Sequence, residues 1–91
     1  MKSRNVVIRN AHGIHCRPSA VIIKEAERHG CDIELIKGDG RCDCRSMMGL
    51  LSMNLHEGAE AELRCTGPDE EKVLAIMSEL FETHFDFPPK E

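Results

Sequence analysis

Ninety-one residues with 41% hydrophobic content suffice for one small domain around one core. With three Phe and neither Trp nor Tyr that core must be aliphatic, and a formal net charge of −4 argues against a nucleic-acid binder, which needs a basic face. No apolar run reaches the ~20 residues of a membrane span, and MKSRNVVIRN lacks the apolar stretch of a signal peptide.

The chain therefore reads as cytoplasmic. Five cysteines, an odd number, fit reduced thiols better than a disulfide framework. There is no internal repeat, low-complexity segment or linker, so residues 1–91 are expected to form a single domain.

NVVIRN (5–10) is short and β-branched and predicts a strand. AHGIH (11–15) is a loop. Residues 16–29 follow a helical period, with Ser19, Ile22, Ile23 and Ala26 on one face and Lys24, Glu25, Glu27 and Arg28 pointing away. Pro18 is tolerated in the first turn, and Gly30 is a candidate helix stop.

DIELIK (32–37) alternates as a half-buried strand, with Ile33 and Leu35 inward. GDG (38–40) is a hairpin turn. In RCDCR (41–45), Cys42 and Cys44 face inward, and Arg41, Asp43 and Arg45 outward. Ser46 is a good N-cap for a short apolar helix over 47–53, and Asn54 suits the left-handed position that ends it. AEAELRCT (59–66) alternates again, with Ala61, Leu63 and Cys65 inward.

Gly67-Pro68 opens the last helix, whose N-terminal dipole is complemented by Asp69, Glu70 and Glu71 and whose stripe is Val73, Ile76, Met77, Leu80 and Phe81. FDFPPKE (85–91) reads as a flexible tail. The order β-α-β-β-α-β-α, with one-sided strands and one stripe per helix, predicts an α+β fold. Its form is an open-faced sandwich, a four-stranded antiparallel sheet with three helices on one face.

The chemistry concentrates in HGIHCRPS. His15 falls beside the N-cap of the first helix, where the free N–H groups of Cys16, Arg17 or Ser19 and the helix dipole form an anion site. Arg17 adds a permanently charged fork suited to phosphate oxygens. The positive helix end disfavours imidazolium, so His15 stays neutral near pH 7 and keeps a nucleophilic nitrogen. Such an imidazole can accept a phosphoryl group and give it up again. Cys16 shares that field, which favours the thiolate.

At these residues the chain resembles HPr, the family of histidine phosphocarriers of the bacterial sugar phosphotransferase system. Gly13-Ile14-His15-Cys16-Arg17-Pro18 is similar to the family motif G-[IL]-H-A-R-P. Arg45-Ser46-Met47-Met48-Gly49-Leu50-Leu51-Ser52 is similar to its K-S-I-M-G-[VL]-M-S segment. The element order agrees, Gly58 and Gly67 fall where that fold turns, and the resemblance runs from about residue 3 to 84.

The resemblance implies that His15 carries the phosphoryl group on Nδ1 and that Arg17 stabilises its oxygens. The protein would then be a carrier rather than an enzyme with turnover. Enzyme I, phosphorylated by phosphoenolpyruvate, is the implied donor, and a IIA protein or domain the implied acceptor. Met47, Met48 and Leu51, with Ala20 on the first helix, would form a shared apolar docking surface.

Ser46 matches the serine modified by HPr kinase/phosphorylase in many bacteria. No cofactor is implied, and the expected state is a monomer. The chain departs from the family pattern at Cys16 (usually Ala), His12 (Asn or Ser), Arg45 (Lys), Met47 (Ile), Leu51 (Met) and Asn54 (Gly).

Plainer readings stand beside these. Ser46 serves as a cap whatever its regulation. A short helix cannot bury both Met47 and Met48 on one stripe, so at least one is expected to be exposed. Cys42 and Cys44, about 6.6–6.8 Å apart on one strand face, read as core thiols rather than a metal or redox pair. His29, His56 and His84 are expected to face solvent. The alternative function is a regulatory HPr paralogue, a binding module acting through the Ser46 helix face. A thiol-redox protein resting on Cys16, Cys42 and Cys44 ranks last.

Overall fold

Lys2 pairs with Cys65 and Val7 with Glu60 at the two ends of the ladder between β1 (Lys2–Val7) and β4 (Glu60–Thr66) in the computed structural model. The described residues are 1–9 and 16–82, with the backbone alone for Cys16 and Arg17. The expected loop over 11–15 and the tail over 85–91 lie outside them. The order is β1, α1 (Cys16–Ala26), β2 (Asp32–Lys37), β3 (Gly40–Asp43), α2 (Met47–Ser52), β4, α3 (Glu70–Phe81). The sheet runs β1-β4-β2-β3, antiparallel throughout. This is the expected open-faced α+β sandwich.

Alternation decides which face is covered. Ile33, Leu35, Ala61, Leu63 and Cys65 are buried as expected. They meet Ile22, Leu50, Met77 and Phe81, all fully buried, and each such side chain contributes about 1.5–3 kcal/mol. The opposite face is charged, with Arg64 paired to Glu62 at 3.1 Å and Arg41 to Glu34 at 3.3 Å. The hairpin turn places Gly38 at φ 60°, a conformation that suits glycine. Asn54, at φ 54°, takes the expected left-handed position after α2.

Several boundaries differ from the sequence reading. β1 begins at Lys2 rather than residue 5, because pairing with β4 recruits the polar KSR stretch that no apolar pattern marks. β3 is an edge strand ending at Asp43, and Cys42 on it is only half-buried. α3 starts at Glu70 after Asp69 in the left-handed region at φ 57°. Its buried stripe is Val73, Leu74, Met77, Ser78 and Phe81, while Ile76 and Leu80 are only half-buried. The helix packs on both β1 and β4, and that contact selects the rotated stripe.

α1 ends at Ala26, three residues before the expected end. Gly30 is not among the glycines with positive φ, so no left-handed glycine stops this helix. Arg45, expected to point outward, instead reaches back to that end. His29, expected in solvent, lies with Nε2 2.8 Å from Glu25 Oε2, its side chain 18% exposed.

Candidate functional site

α1 starts at Cys16, the residue after His15 in the chain, and no acidic residue occupies its first turn. Within that turn no carboxylate offsets the positive end of the helix dipole. Pro18 is fully buried, at a position where its missing N–H costs no helical bond. Ser19 is fully buried on the α1 face packed into the fold, and its Oγ has no hydrogen-bond partner among the described residues. Of the predicted phosphate-site residues, His15 lies outside the described residues, as do the side chains of Cys16 and Arg17. His12 lies outside them as well.

α1 packs against α2, and both helices carry exposed apolar side chains. Met48 is 80% exposed and Leu51 40%, far more than core positions allow. Met47 is half-buried and Ala20 exposed, so the two methionines divide as the helix period requires. Val21 on α1 is likewise exposed, at 38%, and was missed in the sequence. Its signal was an apolar residue lying off the buried stripe of α1.

Ser46 sits at the start of α2 with extended backbone, φ −104° and ψ 113°. Its Oγ accepts the Gly49 N–H at 3.0 Å, and its carbonyl accepts the Leu50 N–H. Gly49 has no room for a side chain, since a Cβ there would lie 2.7 Å from Cys42 Cβ. That contact seats α2 directly on β3.

The inner cysteines are poor nucleophiles. Burial pushes the Cys42 thiol up to about 11, helped by Asp43 and Glu34. Burial likewise raises Cys65 to about 11, with the neighbouring Cys31 adding to the effect. Cys44 is fully buried and shifted upward too, chiefly by burial. A thiol-redox function gains no support from this arrangement.

The family model for the HPr component phosphorylation site of the phosphotransferase system matches residues 2–83. The chain belongs to the HPr family. It is 35% identical over 86 residues to the phosphocarrier protein HPr of Treponema pallidum (strain Nichols), covering 94% of this chain and 98% of that one. It is 34% identical over 78 residues to the HPr-like protein Crh of Bacillus subtilis (strain 168), covering 86% and 92%.

Among solved structures, the HPr of Bacillus anthracis superposes with a TM-score of 0.83 at 25% identity, over 87% of this chain and 94% of that one. An HPr from Thermoanaerobacter tengcongensis superposes at 0.78 with 30% identity, over 89% and 96%. HPr membership brings a phosphocarrier role in the phosphotransferase system, that of a carrier and not a catalyst. Among the described residues no helix is long and apolar enough to cross a membrane.

Proposed function

We propose that this HPr-family chain acts as one monomeric domain, in which His15 accepts a phosphoryl group from phosphorylated enzyme I and delivers it to a IIA protein or domain. A neutral imidazole nitrogen attacks phosphorus, and the bond to the donor breaks with its electron pair leaving on the donor. In delivery a nucleophile of the acceptor attacks the same phosphorus, and the N–P bond breaks with its electron pair returning to the imidazole, which regenerates free His15. The observation that carries this reading is the start of α1 at Cys16, with no carboxylate in its first turn, directly after His15 and beside Arg17. A helix N-terminus of that kind favours an anion, and a guanidinium fork suits its oxygens.

The exposed face of Val21, Met48 and Leu51 supplies an apolar area on which a partner can dock next to that helix. The same face would serve a regulatory module. A module needs no His15–Arg17 combination, and on that ground the carrier is preferred.

The test is phosphotransfer. With phosphoenolpyruvate and a compatible enzyme I, the intact mass should rise by one phosphoryl group that survives base and is lost in acid. His15→Ala should abolish it, and label that persists in that variant overturns the assignment.

A further inference from the structure

Three carbonyl oxygens converge on one nitrogen at the far end of α1. Arg45 Nη2 donates to Ala26 O at 3.0 Å, His29 O at 2.8 Å and Cys31 O at 3.0 Å. Two N–H bonds serve three acceptors, so one of them is shared. The last carbonyls of a helix lack intrahelical partners, and a cation is favoured at that negative end. Ala26 ends α1 and its carbonyl also accepts the His29 N–H at 3.2 Å, while His29 and Cys31 follow the helix, so Arg45 gathers the end of α1 and the turn after it.

Arg45 is itself held. Its backbone N–H donates to Asp43 Oδ1 at 2.8 Å, and Nη1 lies 3.7 Å from the same oxygen. The next residue, Ser46, caps α2. One side chain thus spans from the end of α1 to the start of α2. Val21 on α1 and Met48 and Leu51 on α2 are exposed, and the two helices pack together, so how these side chains lie relative to one another depends on how the helices sit.

We propose that Arg45 is a positioning residue for partner docking: by tying the C-terminus of α1 to the N-terminus of α2 it sets the face that receives the phosphoryl-transfer partner. This rests on the carrier reading above. Arg45 acts through the two helices and not on the phosphate, so its loss should raise KM and spare kcat.

Arg45→Met and Arg45→Lys test this with enzyme I, phosphoenolpyruvate and varied carrier concentration. Arg45→Met should raise KM by about five-fold or more, with kcat within about two-fold of wild type. Arg45→Lys, whose ammonium offers three N–H donors to three carbonyls, should restore KM to within about two-fold. Should Arg45→Met fail to fold, Arg45→Gln takes its place, since its amide lacks the charge and the reach, and the same KM rise is expected.

An unchanged KM in a folded variant, a loss confined to kcat, or a Lys variant as impaired as the Met one overturns the proposal. Amide NMR spectra of the same variants judge it independently of transfer. Shifts reaching Val21, Met48 and Leu51 support it, and shifts confined to 26–31 and 43–46 refute it. Wild-type protein that takes no phosphate would sink the carrier reading alone, because those spectra would still decide on Arg45.

Discussion

The Oγ of Ser46 accepts the backbone N–H of Gly49 at 3.0 Å, so one hydroxyl satisfies a free donor at the start of α2 beside the exposed Met48. Ser46→Ala removes that acceptor and should cost ~1 kcal/mol in urea unfolding. Ser46→Asp keeps an acceptor and suits the helix dipole, so stability should hold. Its charge beside Met48 and Leu51 should nevertheless slow transfer from enzyme I. Equal transfer rates for Ser46→Asp and wild type would leave Ser46 as a cap alone.

Arg17→Ala should separate chemistry from folding. A charge-assisted contact to a phosphoryl oxygen is worth ~1.5–3 kcal/mol, so transfer should slow roughly ten-fold or more while the melting temperature stays near wild type. An unimpaired variant, or one that no longer folds, counts against the role.

Thiol labelling should be uneven. Cys65, pushed up to about 11 by burial, and the fully buried Cys44 should react with iodoacetamide only after unfolding, and the half-buried Cys42, also pushed up to about 11, should react only slowly in native protein. Cys16, at the start of α1, should react first in native protein, and its adduct should hinder phosphorylation of His15. Labelling of Cys16 no faster than of the buried Cys31, or normal phosphorylation of the adduct, would remove the thiol sensitivity.

Ser78 is buried on α3, and its hydroxyl has no hydrogen-bond partner among the described residues. Ser78→Ala removes an unsatisfied polar group and improves helix propensity. It should stabilise the protein by about 1 kcal/mol. A lower melting temperature would reveal a partner for that hydroxyl.

Glu70 links pH to stability. Its carboxylate accepts the Gly67 N–H at 3.0 Å and pairs with the N-terminal ammonium at 3.0 Å. The Gly67 bond first, and then the ammonium, hold its pKa below the usual carboxylate value. The folded pKa lies under the unfolded one, so the contribution is present above the unfolded pKa and lost as pH falls through the folded one. The melting temperature of Glu70→Gln should trail wild type at about pH 7, and the gap should close on acidification toward about pH 3. A gap independent of pH would show that the charge plays no part.

The sequence by itself determined the element order, the inward faces of β2 and β4, the Ser46 cap and the motif around His15. Each is written locally, in alternation of period two, in a capping residue, or in a run such as HGIHCRPS. Tertiary structure alone showed how the end of α1 and the turn after it are held, because the side chain that binds them is 14 to 19 residues away from the carbonyls it serves. Tertiary structure likewise rotated the stripe of α3 toward Leu74 and Ser78 and drew the polar start of β1 into the sheet. A strand partner or a packing surface distant in the chain supplies free energy that no local pattern records, and it outweighs local propensity where the two disagree.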